Sequence, residues 1–173
     1  MSDGFAHQLR LDQIRDGERL DLIADEQERK DVAKRLALPS INRLEAHVTL
    51  SRTGDVVRAE GRLLAALEQS CVVTREPVSA HVDEPFAMAF VREPAISAPD
   101  EEIELGADDC DTVFYDGAVI DLGTAIADTL ALSIDPYPRS AGADAALKEV
   151  GVLSEEQASP FAVLAALKGR GET

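Results

Sequence analysis

Residues 44–52 alternate without a break. Leu44, Ala46, Val48 and Leu50 fall on one side, and Glu45, His47, Thr49 and Ser51 on the other. A period of two puts successive side chains on opposite faces of an extended chain, so the segment reads as a half-buried strand. Arg52-Thr53-Gly54-Asp55 follows, and Gly54 can take the positive φ of a tight hairpin. The alternation resumes over 56–70, with Val57, Ala59, Gly61, Leu63, Ala65 and Leu67 on one face. The small residues at 59, 61 and 65 predict either a close approach or a bend. The next stretch, 69–78, is expected to continue extended and to turn at Pro77. A third run, 78–91, reads as one long, bent strand. Pro85 interrupts it and marks an edge or a bulge, because proline cannot donate to a ladder.

A sheet with one apolar face needs a layer to cover it. Asp25 and Glu28 form a capping-box pattern that opens a helix over 25–38, ahead of Pro39. Val32, Ala33, Leu36 and Ala37 make its apolar stripe. The opposite face, with Glu28, Lys30, Asp31, Lys34 and Arg35, reads as solvated. Asp121 is placed to N-cap a second helix over 122–133, where Leu122, Ile126 and Leu130 recur at four-residue spacing. Pro136 and Pro138 end it. Shorter strands are expected near 5–11, 19–23 and 113–115, with a turn at Asp116-Gly117. A loose helix is expected over 142–150 and a last one from Pro160 to Gly169. The fold class is therefore α+β: a curved, mainly antiparallel β-sheet of five to seven strands, barrel-like if Gly61 and Pro85 bend it far enough, covered by two to four helices. The expected organisation is a single domain over 1–173. It carries an acidic mobile loop at about 92–112 and a helical C-terminal segment at about 141–169.

Charge narrows the partners. The chain is acidic, with a net charge of −16, which argues against broad nucleic-acid binding. Residues 29–75 nevertheless hold nine Lys/Arg against five Asp/Glu, whereas 76–173 hold five against twenty. The basic stretch is compatible with a localised polyanion contact. Arg52, Arg58, Arg62 and Arg75 are its candidate RNA-binding residues. Arg58 and Arg62 share a strand face about 13 Å apart, at roughly 3.3 Å per residue. No aromatic pair interleaves with them, so backbone contact is favoured over base stacking.

Catalytic signals are thin. Cys71 would need a base, and His47 and His81 are placed near it only by being on neighbouring strands. No glycine-rich phosphate loop and no zinc-ligand spacing occurs. Asp108, Asp109 and Asp111 lack the spacing of a calcium loop. No catalytic residue, metal or cofactor is expected. Neither a leader peptide nor a membrane span is visible, so the expectation is a cytoplasmic protein with reduced thiols and no membrane or DNA partner.

Two blocks carry a resemblance. Gln69-Ser70-Cys71-Val72-Val73-Thr74-Arg75-Glu76-Pro77-Val78 is similar to the cysteine-centred segment of the YceD-like large ribosomal RNA accumulation proteins. Asp116-Gly117, Ile120-Asp121-Leu122-Gly123 and then Asp135-Pro136-Tyr137-Pro138-Arg139 resemble that family's second signature, in the same order and with an acidic insert between the blocks. The ending, Pro160-Phe161-Ala162 to Leu167-Lys168, is similar to a bacterial subgroup. On this resemblance Gln69, Cys71, Pro77, Asp121, Leu122, Pro136, Pro138 and Arg139 are the motif residues. It implies a non-enzymatic factor in 23S rRNA synthesis, processing or stability, with 23S rRNA or its precursor, or ribosomal or rRNA-processing proteins, as partners. Many members carry a Cys-x-x-Cys near the first motif; here only Cys71 remains in that block and Arg75 follows without a second thiol, so the resemblance does not carry a metal or redox role over to this chain. Three classes stay open: direct contact with RNA, an adaptor for a basic protein, and a hydrolase using Cys71.

Overall fold

The computed structural model describes residues 5–93 and 111–151. In chain order these form β1 (Gln8–Arg10), a 3₁₀ turn (Leu11–Gln13), β2 (Glu18–Ile23), α1 (Glu26–Arg35), β3 (Ser40–Thr53), β4 (Val56–Ser70), β5 (Pro77–Arg92), β6 (Asp111–Tyr115), β7 (Val119–Asp121), α2 (Leu122–Ser133) and α3 (Ala143–Glu149). The chain groups into two compact units. The first is Met1–Gln69 with Ser79–Pro136, and the second is Ser70–Val78 with Tyr137–Thr173.

The first unit contains a five-stranded sheet in the order β2-β3-β4-β5-β6 and a two-stranded pair of β1 with β7. The alternating residues of β3 and β4 meet in register, with Leu44 opposite Ala65 and Leu50 opposite Ala59. Their hairpin closes at Gly54, whose φ is +62°. β2 joins β3 antiparallel, whereas β6 joins β5 parallel. The α+β expectation holds, with three α-helices among the described residues. Closure into a barrel does not occur among them. The sheet ends at β2 on one side and at β6 on the other, and those two strands do not pair.

The inner face does what the period of two requires. Leu44, Leu50, Leu63, Leu67 and Phe90 are fully buried, and α2 adds Leu122, Ile126 and Leu130 to the same core. Each such side chain contributes roughly 1.5–3 kcal/mol on leaving water. Val32 and Ala33 of α1 complete the cover. Gly61 allows a close approach: a Cβ there would lie 1.9 Å from the His47 carbonyl oxygen and 3.1 Å from the Phe86 ring.

Two local expectations change. The first helix stops at Arg35 rather than 38, because Ala37 takes a left-handed φ of +53° and the Leu38 N–H turns back to the Ala33 carbonyl. The stretch after Ser70 does not stay extended; it reverses over Cys71–Glu76 before β5 begins at Pro77. Pro85 lies within β5, upstream of Met88, where pairing with β6 starts. Of the acidic loop expected at 92–112, residues 94–110 lie outside the described residues, and so does the helix expected from Pro160. No helix among the described residues is long and apolar enough to cross a membrane.

Candidate functional site

The first motif block folds into a closed loop. The Cys71 N–H donates to the Glu76 carbonyl at 2.8 Å, and the Arg75 N–H returns to the Cys71 carbonyl at 3.0 Å. Closing so short a loop requires a left-handed residue, and Arg75 supplies it with a φ of +65°. The Cys71 side chain is fully buried. Its Sγ accepts hydrogen bonds from the Thr74 N–H at 3.4 Å and the Ser140 N–H at 3.3 Å. Burial pushes this thiol up, but the hydroxyls and amides of Thr74 and Ser140 together outweigh it and lower its pKa to about 6. Around it, the Thr74 hydroxyl lies 3.0 Å from that of Ser140 and donates to Glu76 Oε2 at 2.9 Å. Those hydroxyls, Ser140 foremost, hold the Glu76 carboxyl below its ordinary range.

The second block meets the first in this same unit. The Val72 N–H donates to the Pro138 carbonyl at 2.9 Å, and Arg139 pairs with Asp144 at 3.2 Å. The motif residues of the first unit do analogous work. Gln69 is buried, and its Nε2 donates to the Asp135 carbonyl at 2.7 Å. Asp121 caps α2: Oδ1 accepts from the Thr124 N–H at 3.0 Å and from the His7 N–H at 3.1 Å, while Oδ2 accepts from the Thr124 hydroxyl at 2.9 Å. Leu122 is fully buried, Pro77 opens β5 and Pro136 closes the first unit. Thr74, Glu76 and Ser140 were not anticipated from the sequence. Thr74 and Glu76 were visible there as polar residues within a motif block, whereas Ser140 lies just past the second block and gave no signal of its own.

The four candidate arginines do not share one surface role. The Arg52 guanidinium is tied to the carbonyls of Gly54 and Leu11 and so fastens the hairpin tip to the 3₁₀ turn. Arg58 is exposed on the outer face of β4, with no pairing partner among the described residues. Arg62, on the same face, is ion-paired with Asp83, which it holds below the usual carboxylate range. Arg75 belongs to the second unit. The register explains Arg62's surroundings. Asp21, His47 and Arg62 lie in one row across β2, β3 and β4, and His47 Nδ1 sits 2.6 Å from Asp21 Oδ1. Over the outer face of these strands and β5, Arg19, Arg43, Arg58 and Arg62 stand against Asp21, Glu45, Glu60, Glu68 and Asp83. That face is close to neutral.

A family model described as "Large ribosomal RNA subunit accumulation protein YceD" matches residues 59–168. No curated protein and no solved structure matches.

Proposed function

The chain belongs to the YceD family of large ribosomal RNA subunit accumulation proteins, and from that premise we propose that it is a cytoplasmic, non-enzymatic factor required for 23S rRNA to accumulate. The observation that carries this reading is the extent of the match, 59–168, which takes in both motif blocks and the contacts between them. The state of Cys71 supports a non-enzymatic role. A nucleophile must reach its substrate, whereas this sulfur is fully buried and already hydrogen-bonded within its own unit.

Direct contact with the RNA, through the basic stretch 29–75, is the finer version. A neutral sheet face on a chain of net charge −16 supports only a small footprint, and so a shallow dependence of affinity on salt. Depletion of the protein is expected to lower 23S rRNA relative to 16S rRNA. An unchanged ratio would defeat the proposal. Binding of the purified chain to fragments of 23S rRNA tests the contact itself. A second reading, an adaptor for a basic ribosomal or rRNA-processing protein, is favoured by the twenty acidic against five basic residues of 76–173. Capture of such a protein that survives nuclease treatment, with no binding to RNA fragments, would select it.

A further inference from the structure

Beside α1 lies a groove of about 480 Å³, bounded by the helix on one side and by the chain entering β3 on the other. Its volume falls in the range of small-ligand sites. Leu38, Pro39 and Ile41 give it an apolar wall, and Arg29, Lys30 and Lys34 stand along the helical rim. The charges of this rim are unequally committed. Lys30 is paired with Glu26 at 2.6 Å. Arg29 donates through one guanidinium nitrogen to the Ala24 carbonyl at 2.7 Å, which fixes the group, and its charge also acts on the Glu26 carboxylate. Lys34 is exposed and has no partner among the described residues. Three cations and one carboxylate leave the lining at a net +2, on a chain whose total is −16.

Local positive charge of that kind has to be read against the acidic remainder. Short-range contacts survive it, because charges beyond about 8–10 Å are screened at physiological salt. Arg29 and Lys34 are five helical residues apart, or about 7.5 Å along the axis. That spacing lets neighbouring phosphates of one extended strand face the rim, while the apolar wall offers a surface to sugar or base. The polar groups of Ser40 and Asn42 lie at the same edge, with the Ser40 hydroxyl donating to Glu68 Oε2 at 3.2 Å.

We propose that the groove between α1 and the start of β3 binds the sugar-phosphate backbone of single-stranded RNA, with Arg29 and Lys34 as its phosphate contacts. This rests on the direct-contact form of the proposed function and gives it a location apart from the arginines of the sheet. The test uses the full chain and a short single-stranded oligoribonucleotide, with binding measured across a salt series. Lys34 is exposed and unpaired, so Lys34→Ala leaves the fold intact, which an unchanged urea midpoint verifies. Its expected effect is weaker binding and a log–log salt slope shallower by about 0.7, the value for one lost phosphate contact on a single strand. Adding Arg29→Ala takes the loss to about 1.4. Arg58→Ala with Arg62→Ala should leave both affinity and slope unchanged.

Wild-type binding that survives Lys34→Ala and the Arg29/Lys34 pair with the slope intact overturns the groove but leaves direct RNA contact standing. No binding of the wild type to any RNA overturns both, while the effect of depletion on 23S rRNA is judged separately. Inorganic phosphate shifting the Lys34 resonances, with no response to the oligoribonucleotide, would make this a small-anion site and would also overturn the proposal.

Discussion

Asp121 is the residue through which one carboxylate holds two segments, and its removal has a calculable cost. Its oxygens serve the Thr124 N–H and hydroxyl at the start of α2, and the His7 N–H beside β1. Asp121→Ala removes an N-cap, which costs about 0.5–2 kcal/mol. It also removes a negative charge from the positive end of the helix, a further 0.3–1 kcal/mol or so. His7 is exposed, so its N–H recovers a bond to water and adds little. The sum is about 2 kcal/mol. With a urea m-value of about 1–3 kcal/mol per molar, the midpoint should fall by roughly 1 M. Asp121→Asn keeps an acceptor in place while losing the charge, so it should cost only about 0.5–1 kcal/mol. Hydrogen exchange provides the local check: the Thr124 and His7 amides should exchange faster in the alanine variant. If Ala costs no more than Asn, or less than about 0.5 kcal/mol, the carboxylate is not what fastens α2.

Gly61→Ala should destabilise by about 1–3 kcal/mol or more, since the added Cβ would fall 1.9 Å from the His47 carbonyl; chemical denaturation reads it directly, and a neutral result would show that β3 and β4 can separate there. Ala37→Gly should stabilise by about 0.5–1 kcal/mol, because the helix end needs φ of +53° and alanine pays for the left-handed conformation; a lower midpoint for the glycine variant would count against the strain. Cys71 should keep its thiolate ultraviolet absorbance down to about pH 6, read as the difference between wild type and Cys71→Ala so that Cys110 cancels. The folded pKa lies below the ordinary thiol value of about 8.5, so the stabilisation from this group is complete above that value and is lost as pH falls through about 6. Wild type and Cys71→Ala should therefore converge in that direction, and a thiol titrating near its ordinary value would remove the donor network as the cause.

What the sequence made legible was local. The hairpin at Gly54, the capping box at Asp25 and the cap at Asp121 each depend on residues within four positions of one another, and each is found as expected. The apolar faces of 44–50 and 57–67 are set by a period of two and need no partner to be recognised. The Cys71 loop was not legible, because its turn relies on a left-handed arginine, a conformation no residue pattern announces, and because Sγ is held by Ser140 from far along the chain. The surroundings of the arginine face were hidden for a related reason. On one strand Arg58 and Arg62 look like a basic ridge, but their neighbours are decided by register, and register brings His47 and Asp21 into line while Asp83 arrives from β5.

The same logic says why a helix edge can keep its charge where a strand face cannot. On α1 the competing carboxylates are fixed by spacing along one element and are readable in the sequence. Asp25 and Glu28 are taken by the capping box, Glu26 by Lys30, and Asp31 by Gln27 at 3.0 Å. Lys34 then has Lys30 four residues before it and Leu38 four after, neither a counter-ion; Asp31, three before it, is bonded to the neutral Gln27 amide and keeps its charge, but makes no ion pair with Lys34 among the described residues. Across the groove the chain runs Leu38-Pro39-Ser40-Ile41-Asn42 with no acidic residue. Ser40 opens β3 opposite Glu68 of β4, and its hydroxyl donates to that carboxylate at 3.2 Å, so on this side the neighbouring strand brings one carboxylate to the groove's edge against the three cations of the helical rim.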